Sequence, residues 1–189
     1  TSVFGGLFAT LTGSYINDWV YSLLQAPMEG LFQTTPGILV AVILSQLFWF
    51  LGIHGGLVIS PIRNPMFVAA ISANVLAFNS GATPDRIFTQ GFWMEFIVPG
   101  GAGMTLCFLF SKRDDHRSVA KLAFLPGLCG ISEPVVFGIP LVLNPTFMIP
   151  FVFNSALSAG IALFATKIGF LPCNVVDIPF GVPVLLNAF

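Results

Sequence analysis

Apolar residues run almost unbroken from Leu122 to Thr166, and Glu133 is the only charged residue between Lys121 and Lys167. Pro134 follows it directly, with Gly138 and Pro140 soon after. Proline lacks the donor N–H and clashes with the preceding turn, so a continuous helix is not expected here. The pattern predicts a broken helical element with a carboxylate at its break. A lone acid in an apolar stretch of membrane length is a candidate functional group, because burying it is costly.

The remaining elements follow from the same pattern. Residues 1–30 mix apolar positions with Asn17, Asp18, Gln25 and Glu29, which fits the end of one span and an interfacial helix. Pro36 opens a span from Gly37 to about Ile53, since proline suits a first helical turn. That span runs into Gly52-Ile53-His54-Gly55-Gly56, which predicts irregular backbone. Such backbone is tolerated at membrane depth only inside protein or beside a wet cavity. Pro61, Arg63, Asn64 and Pro65 predict an exit to the interface, and Met66 to Phe78 a tilted or partial helix. Asn79 to Arg86 reads as a polar turn, with Thr83-Pro84-Asp85 as a helix start.

Ile87 to Phe110 predicts a full span carrying Glu95 and interrupted at Pro99-Gly100-Gly101-Ala102-Gly103. Ser111 to Lys121 is a charged loop, placed in the cytoplasm by its basic residues. Lys121 and Glu133 are ~18 Å apart if helical, at 1.5 Å per residue. Glu133 is therefore expected near the middle of a hydrocarbon core ~30 Å thick, at the tip of a re-entrant hairpin. Val135 to Pro150 predicts the bent return arm and Phe151 to Thr166 another span. The prolines at 172, 179 and 183 predict a broken connection, with a final helix from Val184 onward.

Composition agrees with this reading. Hydrophobic residues make up 56% of the chain and charged ones 8%, against roughly 25% charged in soluble domains. The fold class is an all-α polytopic membrane protein with re-entrant helical hairpins. A net charge of −1 gives no argument for nucleic-acid binding. Cys107, Cys129 and Cys173 have no metal-like spacing and are expected to be buried small hydrophobes. There is no nucleophile triad, no metal cluster and no dinucleotide fingerprint, so no cofactor is expected. Pro99 to Thr105 lacks the Gly-Lys-Ser/Thr ending of a phosphate loop and reads as a helix-packing surface.

Glu133 is the first candidate site residue. A carboxylate accepts several hydroxyl hydrogen bonds at once, which suits a glycan. It could also act as general base toward a hydroxyl. His54, on glycine-rich backbone, is the second, as a donor and acceptor facing a ligand. Trp49 is either a packing aromatic or a stacking platform for a sugar. Glu95 divides between a structural hydrogen bond and a site role. His116 is expected in solvent, Arg63 and Arg86 at the interface, and Phe48, Phe50 and Phe180 in packing. Gly52-Ile53-His54 and Gly130-Ile131-Ser132 are weakly alike, as two analogous hairpin tips would be.

Three blocks carry a resemblance: Phe48-Trp49-Phe50-Leu51-Gly52-Ile53-His54-Gly55, Gly130-Ile131-Ser132-Glu133-Pro134-Val135-Val136-Phe137-Gly138-Ile139-Pro140, and Leu143-Asn144-Pro145. Together they resemble the lactose/cellobiose (chitobiose-like) family of enzyme IIC, the permease component of the bacterial sugar phosphotransferase system. The resemblance implies translocation of a disaccharide across the inner membrane and its phosphorylation by enzyme IIB, whose cysteine carries the phosphoryl group. It implies sugar binding by His54, Glu133, Trp49, Gly52, Gly55 and Asn144, with Glu133 as catalytic base. It also implies a homodimer formed through an N-terminal half, with residues 1–189 as the substrate-binding C-terminal portion, cut at both ends. Ser132 stands where Asn is frequent before the Glu, and Phe180 where Trp is expected. Two other functions fit the residues: a proton-coupled transporter using Glu133 as its proton site, and a membrane scaffold that binds no sugar.

Overall fold

The computed structural model describes residues 34–98, 100–184 and 186. The expectations for residues 1–30 and for Pro99 lie outside them, as does the final helix apart from Val184 and Leu186, which sit in turns. Among the described residues the elements are all helical. They are α1 (Thr35–Phe50), α2 (Gly55–Asn79), α3 (Gln90–Phe92) continuing as a π-helical stretch (Trp93–Ile97), α4 (Gly100–Leu109), α5 (Asp114–Leu128), α6 (Glu133–Gly138) and α7 (Pro145–Lys167). Three stretches are long and apolar enough to cross a membrane: Gly55–Asn79, Gln90–Leu109 and Pro145–Lys167. Helix α1 is apolar but shorter.

Helix α1 starts where its sequence says it should. Thr34 Oγ1 accepts from Gly37 N at 3.2 Å, and Pro36 occupies the first turn. Helix α2 corrects the expected exit at Pro61–Pro65, because it runs unbroken through both prolines. Pro61 cannot donate to the carbonyl of Leu57, but Ser60 Oγ donates to it at 2.8 Å instead. Hydroxyl repair of this kind is how membrane helices tolerate proline. The start expected at Thr83-Pro84-Asp85 is also corrected: the chain stays non-helical until Thr89, whose Oγ1 accepts from Phe92 N at 3.2 Å.

The charged segment is not a loop through Lys121, since α5 begins at Asp114. Acidic residues suit its first turn, and Asp115 is held by Arg113 at 2.6 Å while Arg117 pairs with Asp114. His116 is buried edge-on against Phe108 rather than solvated, because the helix turns it inward. Helix α7 starts at Pro145, earlier than expected, and absorbs Pro150. Cys107 is exposed, and Cys129 and Cys173 are half-buried, so none is the buried hydrophobe expected.

Packing rests on two clusters. One joins Ile38 and Val42 of α1, Phe67 of α2, the aromatics Phe88, Phe92 and Trp93, and Ala159 and Leu163 of α7. The other joins Trp49 and Phe50 at the end of α1 to Ala123, Val135, Val136, Ile139 and Val152. Small residues set how closely the helices meet. A Cβ on Gly55 would lie 1.8 Å from Ser45 O, and one on Gly101 2.6 Å from Ser132 Cβ. Close approach through small residues holds membrane helices together where lipid supplies no hydrophobic drive. The opposite face of α7 leaves Phe153, Leu157, Ile161 and Phe164 exposed.

Candidate functional site

Two helix breaks build the site, and they share one construction. Helix α1 ends at Phe50 and α5 at Leu128, and Gly52 and Gly130 follow with φ of +82° and +81°. Each glycine N–H reaches back to a carbonyl, Gly52 to Trp49 at 3.0 Å and Gly130 to Gly127 at 3.1 Å. Each following isoleucine does the same, Ile53 to Phe48 at 2.9 Å and Ile131 to Pro126 at 3.0 Å. These are Schellman ends, which need the left-handed backbone that glycine adopts without strain. A new helix starts three residues after each glycine, at Gly55 and at Glu133. Helices α1 and α2 of the first break, and α5 and α6 of the second, are thereby turned so that both tips face each other.

His54 and Glu133 meet there. The imidazole Nε2 lies 3.5 Å from Glu133 Oε1, and both side chains are 41% exposed. Nδ1 of His54 accepts from Leu57 N at 3.2 Å, capping α2. A nitrogen that accepts carries no proton, so the ring hydrogen of the neutral form sits on Nε2, toward the carboxylate. At 3.5 Å the pair is longer than a good hydrogen bond. Both groups keep capacity for a ligand.

Both open onto a cavity of about 1160 Å³. That exceeds the roughly 300–1,000 Å³ usual for small-molecule sites. Trp49 lines it, with its ring 4.3 Å from that of His54 and tilted by 47°. Phe180 lines it too, 61% exposed, and its ring edge approaches Gly130. Phe180 is thus a wall of the cavity rather than a packing residue, because the broken connection after α7 folds back beside the tip; Val184 N bonds Leu128 O at 2.8 Å. Gln46, Ser132 and Asn154 add polar atoms to the lining.

The other expected site residues do not line the cavity. Gly52 and Gly55 act through backbone, one turning the chain and the other letting α2 cross α1 at Ser45. Asn144 caps α7, accepting from Thr146 N at 3.1 Å and donating to Pro140 O at 2.9 Å. Glu95 accepts from Asn174 Nδ2 at 3.1 Å. The same asparagine's carbonyl accepts from Asn74, which also bonds both backbone groups of Arg86.

Arg63 corrects its expected interface position. It lines the cavity and stacks on Trp93, with its guanidinium carbon 4.3 Å from the ring centroid. The reason is the unbroken α2, which keeps residue 63 within the helix rather than past its end. The signal was present: Arg63 is the only charged residue between Glu29 and Asp85, the same isolation that marks Glu133.

Comparison with known proteins agrees with this architecture. The family described as "Phosphotransferase system, EIIC" matches residues 1–155. The oligo-beta-mannoside-specific EIIC component of Bacillus subtilis is 31% identical over 91% of this chain and 40% of its own length. The cellobiose-specific EIIC component of Lactococcus lactis is 29% identical over 97% and 43%. The lactose-specific EIICB component of Staphylococcus aureus is 36% identical over 72% and 25%. The crystal structure of ChbC, the IIC component of an N,N'-diacetylchitobiose-specific phosphotransferase system, superposes with a TM-score of 0.81 and 27% identity, over 98% of this chain and 44% of that one. The chain therefore spans less than half the length of these relatives. With its three membrane-length helices and paired helix breaks, it belongs to the EIIC permease family of the phosphotransferase system.

Proposed function

We propose that this chain forms the sugar-binding portion of a multi-pass inner-membrane permease that takes a disaccharide and presents it to enzyme IIB for phosphorylation. The observation that carries the reading is the His54–Glu133 pair, 3.5 Å apart and open to an aromatic-walled cavity. Trp49 and Phe180 offer apolar faces for sugar rings, and the pair offers a donor and acceptors for hydroxyls. The relatives named above are specific for cellobiose, lactose, an oligo-beta-mannoside and diacetylchitobiose, which supports a disaccharide as the substrate class.

The chemistry follows from the carboxylate. A sugar hydroxyl held by Glu133 attacks the phosphorus of the phosphocysteine on enzyme IIB. The O–P bond forms, the P–S bond breaks and the thiolate leaves with the partner. Glu133 receives the hydroxyl proton as general base. His54 positions the carboxylate and the sugar through Nε2. The tip carrying Glu133 acts as a re-entrant hairpin at mid-membrane, and the basic Lys112–Lys121 side faces the partner in the cytoplasm. The whole permease works as a homodimer in lipid, moving the sugar-binding portion as a body between its two openings.

The test is equilibrium binding of a disaccharide panel to the full-length parent. Glu133→Gln and His54→Ala should each weaken the preferred sugar by roughly 10–100-fold, as loss of a hydrogen bond to a charged group of about 1.5–3 kcal/mol implies. Unchanged affinity in both would remove the assignment. Uptake that persists without a phosphoryl donor and collapses with the proton gradient would favour a proton-coupled transporter instead.

A further inference from the structure

The Arg63 guanidinium is the least satisfied polar group described in this fold. Its Nε and Nη1 atoms are buried and have no hydrogen-bond partner among the described residues. Nη2 has only a long contact to Asn64 Oδ1, at 3.4 Å. No carboxylate pairs with it among the described residues. Trp93 and Phe67 supply aromatic faces, at 4.3 and 5.3 Å from the guanidinium carbon. Stacking of this kind holds the planar group in place but leaves its in-plane donors unused. The cation belongs to the same cavity as Glu133 and His54. A methyl group added at Gly56 would lie 3.4 Å from His54 Cε1 and 3.9 Å from Arg63 Nη1, so it would touch both. Imidazole and guanidinium thus flank one slot, kept open because residue 56 has no side chain.

We propose that Arg63 is an anion subsite of the sugar cavity, which takes the phosphoryl oxygens of the phosphorylated disaccharide. The inference rests on the proposed function, because the reaction named there places a phosphate ester in this cavity. A neutral sugar offers hydroxyls, and Glu133 and His54 already suit those. A desolvated guanidinium with free donors calls for an anion, and its fork matches phosphate oxygens in a bidentate way that a hydroxyl cannot reproduce. The two charges divide the work. Glu133 receives the proton of the attacking hydroxyl, and Arg63 takes up the negative charge on the phosphoryl oxygens.

The experiment uses the full-length parent in lipid nanodiscs. Binding is measured for cellobiose and for cellobiose carrying phosphate on a primary hydroxyl, and the readout is the ratio of the two affinities. Arg63→Gln should shift that ratio against the phosphorylated sugar by at least tenfold, and Arg63→Lys should hold it within about threefold. An unchanged ratio in Arg63→Gln overturns the inference. Wild-type protein that binds cellobiose but not its phosphate overturns the inference alone, whereas failure to bind any disaccharide of the panel overturns the proposed function beneath it; where the panel prefers another disaccharide, that sugar and its phosphate replace cellobiose throughout. Should Arg63→Gln fail to fold, inorganic phosphate competition on the wild type decides. Displacement of the phosphorylated sugar without displacement of cellobiose supports the subsite, and no displacement of either overturns it.

Discussion

Gly130 shows how much one atom decides at the residue scale. A Cβ there would sit 2.7 Å from Val98 Cγ1, on backbone at φ +81°. The left-handed conformation alone costs a side chain about 1–2 kcal/mol. Gly130→Ala should therefore lower the apparent melting temperature of the full-length protein in detergent, and weaken sugar binding by shifting Glu133. Adding Val98→Ala should recover the steric part of the loss and leave the backbone part. Full recovery would show that backbone conformation is not the constraint. Glu133 and His54 were legible as residues because each stands out against its surroundings, an acid among apolar side chains and an imidazole among glycines. Arg63 was equally isolated, but the prolines beside it read as a helix end. Whether a serine repairs a proline's missing bond depends on rotamer and register, which no one-dimensional pattern contains.

Elements were legible where one physical rule acted alone. Pro36 in a first turn placed the start of α1, and the breaks at Gly52 and Gly130 placed the ends of α1 and α5 to within a few residues; the start of α5 was missed, because its first turns are built from the charged residues that read as a loop. Rules in competition were harder to read. Thr83-Pro84-Asp85 has the chemistry of a helix start, but Asn74 recruits the backbone of Arg86 through its N–H, at 2.9 Å, and its carbonyl, at 2.8 Å. That pairing keeps the segment out of a helix up to Thr89. Asn74 is fully buried and also bonds Asn174 O. Asn74→Ala would strand these backbone groups, at roughly 1–3 kcal/mol for each one left unpaired. Thermal unfolding should show that loss, and loosened protection of the amides near 86 and 174 in hydrogen exchange would place it.

The first turn of α5 has its own pH signature. The hydrogen bond from Arg113 is the largest influence on Asp115 and pulls its carboxyl from 3.8 down to about 2. A depressed carboxylate supports the fold above its unfolded value and loses that support as pH falls through the folded one. Amide protection in this turn should hold at neutral pH and decline only as pH approaches about 2. In Asp115→Asn that acid dependence should disappear.

At the scale of the whole molecule, apolar composition announced a membrane protein and the motif blocks its family. How the helices would cross could not be read, because outward and inward faces are both apolar. Helix α7 makes the point: Leu157 and Ser158 are sequence neighbours, but Leu157 is exposed while Ser158 Oγ donates to Phe96 O at 2.7 Å. Leu157→Arg should reduce the membrane-inserted yield, since a central arginine costs about 2.5–3.5 kcal/mol on insertion scales. Asn154→Ala, on the cavity side, should leave insertion alone and alter sugar binding. If both variants lost insertion equally, the assignment of faces would fail.

The paired Schellman ends carry a consequence for ligand selection at the proposed site. Two glycine turns set where the backbone of residues 54 and 133 stands, so the two side chains start from matched positions. The chamber lining can then change while the two turns stay in place. Exchanging Phe180 and Asn154 for other residues would retune which carbohydrate fits, much as a key blank is recut without altering the lock's bolt.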